Sequence, residues 1–186
     1  KKFLYDIRKI TRDHDVPLIF DEVITGYRMS PGGAQQYYSI KPDITTLGKA
    51  LGNGFVIAAI GGKAEIMDML SPQGKVYQAS TYAGNPVSVA AAIESVKTLN
   101  RHKNSIYPKL AVCCAILART IGDLAKDLKI PHQINFISSM FQIFFTDKPV
   151  TDYRSAKRAD AKKFKKLFNA LLKNGVFVDP SQFETI

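Results

Sequence analysis

Tryptophan is absent from this chain of 186 residues, cysteine occurs twice, histidine three times, and 16 acidic residues stand against 26 basic ones. So few cysteines, adjacent at Cys113 and Cys114, exclude a disulfide scaffold and a cysteine-rich zinc module; both are expected to be reduced core residues of a helix. His14, His102 and His132 are scattered beside polar residues, so no metal-ligand spacing results. No signal-peptide pattern and no membrane-length apolar run is evident, which points to a soluble, cytoplasmic protein. The start methionine is missing too: the chain opens inside an amphipathic stretch, Lys1 to Thr11. A fragment of a longer protein is the expectation.

The shortage of acid leaves a formal net charge of +10. Lys157, Arg158, Lys162, Lys163, Lys165, Lys166 and Lys173 fall on one predicted helix, a pattern that nucleic acids or acidic membranes can use. Ala161, Phe164, Leu167, Phe168, Leu171 and Leu172 give the same helix an apolar stripe, and no exposed aromatics interleave with its lysines. A solvated face is therefore expected, with neither nucleic acid nor membrane as partner.

What is present is ample core material, 46% hydrophobic residues, in an order that alternates strands with helices. Strands are predicted at Leu18 to Phe20, Asp43 to Leu47 and Ile57 to Gly61, a short helix at Ala64 to Leu70, and an alanine-rich helix from Pro86 to Leu99. This half reads as a parallel α/β layer. After a polar break at Arg101 to Asn104 comes a long helix, Ile106 to Leu128, with Leu110, Cys113, Cys114, Leu117, Ile121 and Leu124 on one face. Strands follow at Gln133 to Ile137 and Met140 to Phe145, then a helix from Ala156 to Lys173 stopped by Asn174-Gly175, then a strand at Gly175 to Val178. Tyr37-Tyr38 and Phe144-Phe145 are expected in the core. The chain thus divides into residues 1–103 and a small, truncated α+β domain, 104–186.

Chemistry concentrates where Asp21 ends one apolar strand and Lys49 follows another. Open α/β sheets hold ligands at the carboxyl ends of their strands, and Gly48 permits close backbone approach there. A lysine in a closed pocket can condense with an aldehyde, while a carboxylate can keep a pyridine nitrogen protonated. That is the layout of a pyridoxal phosphate site. Alone, a lysine after a strand is ordinarily a solvated charge and an aspartate at a strand end a cap; the pair in this setting carries the reading. Ser80-Thr81, followed by Gly84-Asn85-Pro86 at a helix start, offers hydroxyls and a helix N-terminus for an anion, although the same residues make an ordinary cap.

Asp21-Glu22-Val23-Ile24-Thr25-Gly26-Tyr27-Arg28, Thr46-Leu47-Gly48-Lys49-Ala50-Leu51-Gly52 and Thr81-Tyr82-Ala83-Gly84-Asn85-Pro86 together resemble the successive signatures of class III aminotransferases, within the fold type I pyridoxal phosphate enzymes. Pro31-Gly32-Gly33-Ala34-Gln35, Val76-Tyr77-Gln78-Ala79, Ser139-Met140-Phe141 and Asp179-Pro180-Ser181-Gln182-Phe183-Glu184 resemble the aminomutase branch of that group. The stretch Gly52-Asn53-Gly54-Phe55-Val56-Ile57-Ala58-Ala59 departs from the pattern by lacking its proline. The resemblance implies that residues 1–103 are the C-terminal part of the cofactor-binding large domain. It makes Lys49 the lysine that condenses with the cofactor, Asp21 the partner of the ring nitrogen, and Val23 a side chain packed on the ring. Thr81 then binds the phosphate of a neighbouring subunit's cofactor in a homodimer with shared sites, and Glu184 is an acidic group near the active-site mouth. The resemblance also implies a small-molecule substrate and a missing first half holding the phosphate loop, the stacking aromatic ring and the basic residue for the substrate carboxylate. Two other readings stand beside it: an ω-amino acid aminotransferase with the same cofactor residues, and a non-catalytic basic binding module.

Overall fold

A computed structural model describes residues 2–186, which form two compact units, one running to Ile106 and the other spanning Tyr107–Ile186. In the first, helix α1 (Lys2–Asp13) precedes a three-stranded sheet. Strand β1 (Ile19–Glu22) pairs in parallel with the central strand β2 (Ile44–Leu47), in a register that sets Asp21 opposite Thr46. The connection between them contains helix α2 (Gly33–Tyr38). Strand β3 (Ala59–Gly62) runs antiparallel to β2, where the sequence suggested a parallel neighbour. The reason is length: a parallel return needs a crossover of a dozen or more residues, and Gly48 to Ala58, partly coiled into a 3₁₀ turn at Lys49–Leu51, is too short to supply one.

Asp43, directly before β2, fastens α1 to the sheet. Its Oδ2 accepts from Arg8 Nη1 and from the Leu18 N–H, each at 2.7 Å, and Lys63 Nζ lies 2.9 Å from Oδ1. The Leu18 N–H first, then Lys63 and Arg8, hold this carboxyl far below the ordinary carboxylate range. Helix α3 (Ala64–Met67) is shorter than expected. Helix α4 (Pro86–Arg101) begins where its sequence signals place it, with Asn85 at the N-cap and proline in the first turn.

Helix α5 (Lys103–Asp127) starts earlier than expected, so the polar break shrinks to His102. Its buried face carries Tyr107, Cys114, Ala118 and Ala125, while Cys113 is exposed and Leu117 and Leu124 are 52% and 57% exposed. The apolar stripe read from the sequence is thus rotated. Small side chains at 114 and 118 let the hairpin β4 (Gln133–Ile137) and β5 (Met140–Phe144) approach closely, and Phe141 packs there with Ile121, Ile134 and Ile186. By length and composition α5 could cross a membrane, which the sequence reading did not foresee. Lys109 and Arg119 interrupt its apolar stretch, and the packing of Cys114 and Ala118 is that of an amphipathic core helix.

The single helix expected from Ala156 is two. Helix α6 (Tyr153–Lys157) is started by an Asp152 capping box, and helix α7 (Ala161–Lys173) by Asp160, whose carboxylate accepts the Lys162 and Lys163 N–H groups at 3.0 Å. The Asp160 N–H donates to the Phe145 carbonyl, which fixes the break. Phe164 of α7 is buried and its lysines are exposed. Phe144, Val150, Ala156 and Ala159 form a second cluster. Tyr37, by contrast, is half exposed and meets Tyr38 edge-on. The strand expected at Gly175 to Val178 does not form: no described segment offers it a ladder, and Phe177 is 76% exposed.

Candidate active site

Strand β1 delivers two acidic residues to opposite environments, as alternation requires. Glu22 is 1% exposed. One of its carboxylate oxygens accepts from the Thr25 hydroxyl and the Ala34 N–H, and the other from the Gln35 N–H, so a single side chain ties the turn after β1 to the start of α2. Gly33 occupies a left-handed conformation, φ 67°, at the one place where a Cβ would overlap that carboxylate. Glu22 is structural, and its neighbour faces the other way.

Asp21 is exposed on the opposite face. Its Oδ1 accepts the Val23 N–H at 3.0 Å and the Thr46 hydroxyl at 3.0 Å. The Val23 N–H first, then Thr46, with a further contribution from the positive charge of Lys49, keep its carboxyl below the ordinary value despite slight desolvation. Lys49 therefore stands close enough to act on Asp21, as expected from their placement at adjacent strand ends. Its backbone is left-handed, φ 41°, an unusual state for a residue with a Cβ and one that recurs at functional positions. A Cβ placed on Gly48 would lie 3.4 Å from a Val23 methyl, so Val23 packs against the segment that presents Lys49. Asp21, Val23 and Lys49 are gathered together.

Thr46 was not singled out from the sequence. The signal was there in the equal offsets of Asp21 and Thr46 along two strands that pair in parallel, each the third residue of its strand.

Thr81 lies exposed in the turn before α4, where Gly84 adopts φ 70°. Asn85 Oδ1 already accepts the Val87 and Ser88 N–H groups at 3.1 Å, so the donors of the α4 N-terminus are spent on an ordinary cap. Any anion contact here falls to the hydroxyls. Glu184 belongs to the second unit, exposed on the Ser181–Glu184 turn beside Phe183, whose ring lies 5.4 Å from that of Tyr153. An open cleft of about 560 Å³ is bounded by Gly26, Tyr27, Gln35, Ile40 and Leu47, and neither Asp21 nor Lys49 lines it. Among the described residues no group of three or more His, Cys, Asp or Glu could hold a metal ion.

The donor set fits pyridoxal phosphate. A carboxylate that stays ionised suits a protonated ring nitrogen, and an amine beside it suits an aldehyde.

Comparison with known proteins gives the same direction. The name glutamate-1-semialdehyde 2,1-aminomutase is carried by relatives from Nitrosopumilus maritimus, 62% identical over all of this chain, and Cenarchaeum symbiosum, 59% identical over 99% of it. The chain spans 44% of the length of each. An ω-transaminase from Sphaerobacter thermophilus superposes on 97% of the chain with a TM-score of 0.88 at 30% identity, 42% of that protein being covered. A glutamate-1-semialdehyde aminomutase from Pseudomonas aeruginosa shares the fold over 96% of the chain, with a TM-score of 0.79 at 24% identity and 41% of that protein covered. The aminotransferase class-III pattern matches residues 1–186, from one end of the chain to the other, and the chain belongs to the class III aminotransferase family, with its fold type I α/β architecture.

Proposed function

We propose that this chain is part of a pyridoxal phosphate-dependent glutamate-1-semialdehyde 2,1-aminomutase, which forms 5-aminolevulinate at the start of tetrapyrrole (porphyrin) synthesis. The cofactor reading is carried by the Asp21 carboxylate, anchored through one oxygen with the Lys49 charge beside it. Support for the substrate comes from the 62% and 59% identical relatives that bear this name.

When bound, pyridoxal phosphate supplies the electron sink for moving an amine between adjacent carbons. Asp21 accepts the ring N–H and keeps that proton in place. Val23 packs against the ring. Lys49 would be the residue that holds the cofactor through its aldehyde, and its Nζ would carry protons to and from the substrate. Thr81 donates its hydroxyl to the phosphate of the neighbouring subunit's cofactor in a homodimer. A net internal transfer requires the substrate to stay enclosed between its two halves, which gives the Glu184 carboxylate a gating role at the mouth of the site. In this reading residues 1–103 belong to the large cofactor domain and residues 104–186 to the small domain. The enzyme is cytoplasmic and uses neither nucleic acid nor membrane.

Borohydride reduction of the intact enzyme followed by peptide mapping tests the assignment: the reduced bond should map to Lys49 and vanish in Lys49→Ala. Trapping on another lysine overturns it. The likeness to an ω-transaminase favours a second reading, an ω-aminotransferase that releases a keto product. Turnover of the amino aldehyde without any second keto acid supports the aminomutase, and an absolute requirement for one supports the alternative.

A further inference from the structure

We infer that Thr46 is a positioning residue for Asp21: with the Val23 N–H it fixes Oδ1 of the carboxylate and so reserves Oδ2 for the ring nitrogen of the cofactor. The inference rests on the proposed cofactor reading and extends it to a side chain on the neighbouring strand.

Two donors reach the same oxygen from different elements. The Val23 N–H comes from the turn that follows β1 and the Thr46 hydroxyl from β2, both at 3.0 Å. A carboxylate held at one oxygen from two directions cannot rotate about its terminal bond without losing a contact, and the oxygen left over is the one able to accept from a ligand. Register makes the second contact possible. Asp21 and Thr46 are paired across the parallel ladder, so their side chains leave the sheet on the same face. Strand β2 is bonded on both edges, by β1 and by β3, which fixes its hydroxyl better than a loop would. Both contacts favour the ionised carboxyl, the form that a protonated ring nitrogen requires.

The test uses the intact enzyme. Thr46→Val keeps the β-branched shape suited to a central strand and removes the donor, while Thr46→Ser keeps the donor. Carbon NMR titration of the Asp21 carboxyl in the cofactor-free protein reads the contact directly: its midpoint should rise in Thr46→Val and return to the wild-type position in Thr46→Ser. With cofactor restored, kcat in Thr46→Val should fall about tenfold, the size of one lost hydrogen bond to a charged group, with the substrate KM nearly unchanged. The acid limb of the rate profile should move to higher pH, because a carboxyl that protonates more readily loses its ionised form sooner as pH falls. An Asp21 titration and an acid limb both unmoved in Thr46→Val overturn the inference. Should that variant not fold, Thr46→Ala is read by the same two measurements. Asp21→Asn separates the two layers: wild-type single-turnover rates there sink the cofactor role of Asp21 itself, whereas crippled rates beside a silent Thr46→Val sink only the positioning role.

Discussion

Glu22 and Gly33 define a contact that leaves no room for adjustment. A methyl on Gly33 would overlap the Glu22 carboxylate, and the left-handed backbone resists any side chain besides. Gly33→Ala should therefore destabilise the intact protein by about 3 kcal/mol, from backbone strain and overpacking together. Glu22→Gln is the complementary change, since both carboxylate oxygens accept backbone N–H groups and an amide must turn a donor towards one of them. About 2 kcal/mol is expected from one buried N–H left unpaired. Urea midpoints measure both, and midpoints within error of wild type would show that the turn is held by something else. At this scale the sequence was informative about Asp21 and Lys49, whose positions after apolar strands are local signals. It was silent on Thr46 and Glu22, because their partners lie 25 and 12 to 13 residues away and depend on pairing and burial.

At the level of elements, Asp43 joins α1, the entry to β1 and the end of β3 through Arg8, Leu18 and Lys63. Its folded carboxyl titrates well below the unfolded value of 3.8, so its contribution is complete above that value and is lost as pH falls through it towards the folded value. Asp43→Asn should lower stability by about 2 kcal/mol at neutral pH and flatten the decline between pH 4 and pH 2, as read by thermal midpoints across that range. An undiminished acid decline would place the sensitivity on other carboxylates. Elements with local signals were legible from the sequence: the Asn85-Pro86 start of α4, the hairpin β4–β5 and strand β2 all appear where residue patterns put them. Errors came where a choice depends on distant partners. Two apolar stripes compete on α5, and packing against Phe141 selects the small-residue one; the break between α6 and α7 depends on a bond to Phe145; and Gly175 to Val178 lacks a ladder.

The whole molecule adds the question of shared sites. If Thr81 serves the partner's phosphate, Thr81→Ala should weaken cofactor binding by about 1–3 kcal/mol, the range for a charge-assisted hydrogen bond. Mixing Thr81→Ala with Lys49→Ala subunits should then restore activity, since the site with Lys49 intact receives its threonine from the other chain. No recovery after confirmed subunit exchange, or full activity in a monomer, excludes the arrangement. Fold class and family were readable because three motifs between Asp21 and Pro86 follow one another in a fixed order, with the shorter matches at Ser139–Phe141 and Asp179–Glu184 behind them. The mutual setting of acid and lysine needed the sheet.

That setting has a mechanical meaning. Sliding β1 past β2 by one residue, about 3.3 Å, would bring Thr45 or Leu47 opposite Asp21 and carry the Thr46 hydroxyl away. The strand pair thus works as a vernier: registry sets the Thr46 side of the acid's anchorage, beside the Val23 N–H of the turn after β1, and that alignment holds as long as the two strands keep step. Shear of the sheet is a deformation that the Thr46 contact cannot absorb.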